Sequence, residues 1–95
     1  MQVLARIIKQ YPLQKREYTD NRGEKKVFKW MGFLLSTGSD TLYGEVTGEQ
    51  AENMEALDTQ YIYGVDFCCT GRTYTDQSGN QRGSTELNIR KIAAI

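Results

Sequence analysis

The chain has no histidine, one proline and two cysteines among its 95 residues. Without imidazole, the commonest general base and the commonest zinc ligand are both missing. Cys68 and Cys69 are adjacent, so on a strand they point to opposite faces and close no framework disulfide. Two neighbouring thiols without further ligands do not make a tetrahedral metal site either. Free thiols suit a reducing compartment, and a cytoplasmic protein is expected. Neither Gly-x-Gly-x-x-Gly nor a P-loop occurs. The apolar N-terminal stretch MQVLARII is interrupted by Arg6 and followed by Lys9, which fits neither a signal-peptide core nor a membrane span. The sequence therefore gives little support for catalysis, a cofactor or a metal, and a soluble non-enzymatic domain spanning residues 1–95 is expected.

Net charge is zero, but its distribution along the chain is uneven. Residues 1–37 hold eight lysines or arginines against three acids, residues 38–66 hold seven acids and no base, and the remainder holds four bases against two acids. Such segregation places a basic and an acidic region on one small body, and ordinary surface solubilisation also produces it.

One motif occurs twice. REYTDNRGEKK at residues 16–26 and RTYTDQSGNQR at residues 72–82 share the pattern Arg-x-Tyr-Thr-Asp-x-x-Gly-x-x-Lys/Arg. Asp and Gly at these spacings are turn chemistry: the carboxylate bonds backbone amides two residues on, and Gly accepts left-handed backbone freely. Asp20 and Asp76 are accordingly read as turn formers, each at the tip of a hairpin.

Around these tips the chain reads as strands. Residues 2–18 form a long first strand with Pro12 marking a break, Val27 to Leu35 an apolar second, and Thr41 to Thr47 a short third with Leu42 and Val46 on one face and Tyr43 and Glu45 on the other. Thr47-Gly-Glu-Gln50 matches a capping box, and Ala51, Met54 and Leu57 recur every three residues, which predicts a helix of about three turns. From Gln60 to Tyr74, alternation assigns Tyr61, Tyr63, Val65, Phe67 and Cys69 to the core face and Ile62, Asp66, Cys68, Thr70, Arg72 and Tyr74 to the other. Ser84 to Ile95 supplies the last strand, with Leu87 and Ile89 opposite Glu86, Asn88 and Arg90.

Five strands with one helix between the third and fourth is the arrangement of an OB-fold, a partly open barrel whose binding face is flanked by the loops joining strands 1 to 2 and 4 to 5. Both copies of the repeat fall in those two loops. The stretch TGRTYTDQSGNQRGSTELNI, residues 70–89, moreover resembles the strand-loop-strand segment of bacterial single-stranded DNA-binding proteins. That resemblance implies an OB-fold, and it implies a base-stacking role for Tyr74, whose position carries an aromatic in that family.

A binder of single strands needs cations for phosphates and rings for bases, each stack contributing roughly 1–3 kcal/mol. The first arm offers Lys15, Arg16, Tyr18, Arg22, Lys25 and Lys26, the central strand Lys29 and Trp30, and the second arm Arg72, Tyr74 and Arg82. Each has a structural alternative: Trp30 in an apolar run packs a core as readily as it meets a ligand, Tyr18 and Tyr74 can brace each other, and Lys25-Lys26 can be a solvated tip. The expected partner is single-stranded DNA, or RNA, bound with little sequence preference by a homodimer or homotetramer in replication. The competing reading is a protein-interaction or scaffold module on the same barrel; oligosaccharide or peptide binding is a third, since fold does not dictate ligand.

Overall fold

A computed structural model describes residues 1–95. The elements are β1 (Gln2–Gln10), β2 (Gln14–Thr19), β3 (Lys25–Ser36), β4 (Thr41–Thr47), α1 (Gly48–Glu52), β5 (Ile62–Thr75) and β6 (Gln81–Ala94). The long first strand is broken into β1 and β2 around Pro12, whose ring nitrogen has no proton to give a ladder. Next to the break, the Tyr11 amide still donates to the Gly32 carbonyl at 2.9 Å. This division leaves the helix between β4 and β5, which is the third-to-fourth position of the expected five strands once β1 and β2 are counted as one.

β1 pairs antiparallel with both β3 and β5, β5 with β6, and β3 with β4; a single parallel bridge, Glu45 to Asn88, joins β4 to β6. Five strands thus close a ring, and β2 pairs only with the first half of β3. Two hairpins project beyond the ring: β2 with the start of β3, and the end of β5 with the start of β6. No helix is long and apolar enough to cross a membrane.

The interior is filled by inward-facing residues of every ring strand: Ala5 and Ile7, Met31, Phe33 and Leu35, Val46, Tyr63, Val65 and Phe67, and Ile89, with Ala51 of α1 closing one end. Two irregularities preserve this alternation. Between Ile7 and Lys9 the register with β3 slips by one residue, leaving Ile8 exposed, and on β6 the partners step from Lys91 to Ile89, skipping Arg90. Such bulges let Ile89 and Ile92, three residues apart, both meet the core.

Three expectations are corrected. Helix α1 has five residues instead of three turns, and Thr47 makes no side-chain cap. The Gln50 side chain, expected to reach back to Thr47, donates to the Arg90 carbonyl at 3.0 Å. Beyond Met54 the backbone finds partners outside a helix: Gln10 accepts from the Leu57 amide at 2.8 Å and donates to the Glu55 carbonyl at 3.0 Å, and the Tyr63 hydroxyl accepts from the Asp58 amide at 3.0 Å. Met54 and Leu57 still pack on the core, now from a loop held by these bonds. Tyr61 and Cys69 are exposed, because Tyr61 precedes β5 and Cys69 lies where the hairpin leaves the ring.

Candidate nucleic-acid interface

Residues paired across neighbouring strands share a face of the sheet, so register alone shows which side chains lie together. Gln14, Arg16 and Tyr18 pair with Trp30, Phe28 and Lys26. Trp30, Gly32 and Leu34 pair with Thr47, Glu45 and Tyr43, and Glu45 pairs with Asn88. Asn88, Glu86, Ser84 and Arg82 pair with Cys68, Thr70, Arg72 and Tyr74. One continuous outer face therefore runs from the first arm across β3, β4 and β6 to the second arm. It carries Arg16, Tyr18, Lys26, Trp30, Arg72, Tyr74 and Arg82 of the sequence-derived set.

The others sit elsewhere. Lys15, Lys25 and Lys29 occupy the opposite face of the first arm, and Arg22 is in its tip. Lys29 is engaged there: its ammonium lies 2.7 Å from Glu52 of α1, and this contact holds the Glu52 carboxyl below its usual range.

The two tips are the same structure. In each, the Asp amide donates to the carbonyl four residues on at 2.9 Å, the Gly amide donates to the Asp carbonyl at 3.1 Å, and one Asp carboxylate oxygen accepts the amides two and four residues on at 2.9 Å. Gly23 and Gly79 stand at φ of 80° and 82°, where other residues are strained. The second carboxylate oxygen meets the base six residues on: Lys26 at 3.4 Å from Asp20, Arg82 at 2.6 Å from Asp76. Both carboxyls are held below their ordinary range, Asp20 chiefly by the Glu24 amide and Asp76 chiefly by the Arg82 guanidinium. The recurrence of a base at matching positions in the repeat thus has a structural cause, completion of the turn. Arg72 is likewise paired, 3.5 Å from Glu86. Arg16, Arg22, Lys15 and Lys25 make no ion pair.

The rings divide similarly. Tyr18 and Tyr74 are about half exposed, at 46% and 50%, and neither stacks on another ring. Trp30 is half-buried on the outer face and lies outside the core, stacked on Phe28 with ring centres 5.5 Å apart and planes 24° from parallel. A second group continues from it. The Tyr43 ring covers Gly32, where any Cβ would collide with it, and meets Tyr11 edge-on at 6.0 Å, while the Lys9 ammonium sits 4.9 Å above the Tyr11 ring. The Tyr43 hydroxyl donates to Glu45 at 3.0 Å; burial, then this carboxylate, raises its pKa above the usual phenol value.

Phe28, Tyr11, Tyr43 and Lys9 were missing from the sequence-derived set. The alternation that put Tyr43 opposite Leu42 and Val46 was the available signal for one of them.

No protein-family model matches the chain, and no curated protein does. Among solved structures, the chain is similar to the second OB-fold domain of replication protein A from Methanococcus maripaludis, determined in solution by NMR. The two share 21% identity over 99% of this chain and 81% of that one, with a TM-score of 0.58. This likeness, with the closed five-stranded ring and single short helix, establishes an OB-fold. It does not single out the bacterial family that residues 70–89 resemble.

Proposed function

We propose that the protein binds single-stranded DNA across the outer face of β3, β4 and β6, between its two arms, with phosphates drawn by Arg16, Arg22 and the lysines of the first arm and bases stacked on exposed rings. The observation that carries this reading is the shared face: half-exposed Tyr18 and Tyr74, the Phe28–Trp30 stack and the unpaired Arg16 all lie on one side of one sheet. Stacking is indifferent to base identity and phosphate attraction to sequence, so binding is broadly tolerant. Single-stranded RNA offers the same groups and competes for the same face.

Within this reading Lys15 and Lys25 add to the positive field of the first arm, and Lys26, Lys29, Arg72 and Arg82 contact phosphate by exchanging their carboxylate partners for it. A domain of this size covers about 4–16 nucleotides. Self-association extends that length, and the far side of the ring, where Leu4, Ile62 and Ile95 are exposed, provides apolar surface for it. The reading places the protein in replication or a related process in the cytoplasm, with no catalytic step.

Titration of labelled oligo-dT, read by fluorescence anisotropy over a range of salt concentrations, tests the proposal. Binding that weakens steeply with salt, by about 0.7 in log–log slope per phosphate contact, is expected. No association at low ionic strength would transfer the domain to the scaffold reading.

A further inference from the structure

Glu45 is out of place on the proposed binding face. Its neighbours there are Gly32, Tyr43, Thr47 and Asn88, and it has no cationic partner; the Tyr43 hydroxyl bonds one of its oxygens, and the other is unbonded. It is half-buried at the middle of the face, directly opposite Gly32 on β3 and paired with Asn88 on β6. The Asn88 side chain, also half-buried, makes no hydrogen bond within the protein. Trp30 is the diagonal neighbour of Glu45 across β3 and β4, since it pairs with Thr47, two residues along.

A carboxylate at this place repels phosphate, so a strand crossing β4 presents bases to it. A base stacked on Trp30 directs an edge across the sheet toward Glu45 and Asn88. An ionised carboxylate only accepts hydrogen bonds, whereas a carboxamide both donates and accepts. Guanine presents two adjacent donors, N1–H and the N2 amino group, followed by the O6 acceptor. Thymine, cytosine and adenine each offer a single donor group, with ring or carbonyl acceptors beside it that a carboxylate repels.

We propose that Glu45 and Asn88 form a base-reading subsite beside Trp30 that selects guanine, with the carboxylate accepting from N1–H and N2–H and the Asn88 amide donating to O6. This rests on the single-strand reading and adds one selective position to an otherwise tolerant track.

The test uses the intact chain and oligo-dT strands of about the site length, each carrying a single dG, deoxyinosine or dC at successive positions. At one register dG should bind about tenfold tighter than dT, within the range of a good bidentate base contact. Deoxyinosine, which lacks the amino group, should recover only part of that gain, and dC none. Glu45→Gln should erase the dG-to-dT ratio, weakening the dG strand at that register while strengthening the all-dT strand through loss of a negative charge, with its melting temperature confirming the fold. Binding with equal affinity for dG and dT at every position overturns the subsite and leaves the proposed function standing, as does an unchanged ratio in Glu45→Gln. Failure of every strand to bind a folded protein overturns both.

Discussion

Trp30→Ala separates function from folding. Trp30 lies outside the buried core, and its principal ring partner is Phe28. Truncation removes one aromatic pair, worth about 0.5–1.5 kcal/mol, together with the burial of a ring that is only half covered. Removal of the fully buried Phe33, by comparison, costs about 3–5 kcal/mol. If a nucleobase stacks on Trp30, the same substitution removes about 1–3 kcal/mol of binding, or about 5- to 150-fold in affinity. Because no phosphate contact is lost, the salt slope should stay the same while the whole line shifts down. Arg16→Ala should do the opposite, flattening the slope by about 0.7 with a smaller change at high salt. Anisotropy against salt, with thermal melting of each variant, reads all four quantities. A Trp30→Ala protein that melts like Phe33→Ala, or that binds oligo-dT as the parent does, would refute the placement of the ring as a stacking platform.

Other outcomes follow from the same geometry. Gly44 faces inward against Ile89, whose Cγ1 and Cδ1 lie 3.1 Å from where a Cβ would stand, so Gly44→Ala overpacks the junction of β4 and β6. A loss of about 1–3 kcal/mol is expected, seen in calorimetry as a fall in Tm of about 4–8 °C per kcal/mol. Asp20 and Asp76 have folded pKa values below the ordinary 3.8, so the order they contribute is present above that pH and is lost as pH falls through their lowered values. The amides of Arg22, Glu24, Ser78 and Asn80, which their carboxylates hold, should lose protection in NMR hydrogen exchange over that acid range while amides of the ring strands keep theirs. Asp76→Asn should release Arg82 and tighten binding to oligo-dT at low salt; unchanged affinity would show that the guanidinium does not reach phosphate.

Strands were legible in the sequence because their signals are local. Period-two alternation located Val65 and Phe67 in the core and Tyr43 and Glu45 outside it, and the Asp-x-x-Gly spacing located both tips. The helix was misjudged because its apolar stripe is real but its hydrogen bonds are decided elsewhere, by Gln10 and Tyr63 arriving from distant strands. The site was legible only in part. Rings on the arms stand out beside their repeat, whereas the group formed by Tyr11, Tyr43 and Lys9 exists only once β1, β3 and β4 are laid side by side. Recurrence of Lys26 and Arg82 pointed toward ligand contact in the sequence, and the structure gives both a turn carboxylate to complete.

The ring closes between β4 and β6 through one bridge, at Glu45 and Asn88, while every other junction is a ladder of several pairs. This seam is where the barrel should part first under heat or denaturant, and the proposed track crosses it. A bound strand touching both sides would act as a suture, holding shut the joint whose opening begins unfolding. Occupancy should therefore slow unfolding as well as shift its equilibrium, so that one short polymer governs how long the whole domain stays closed.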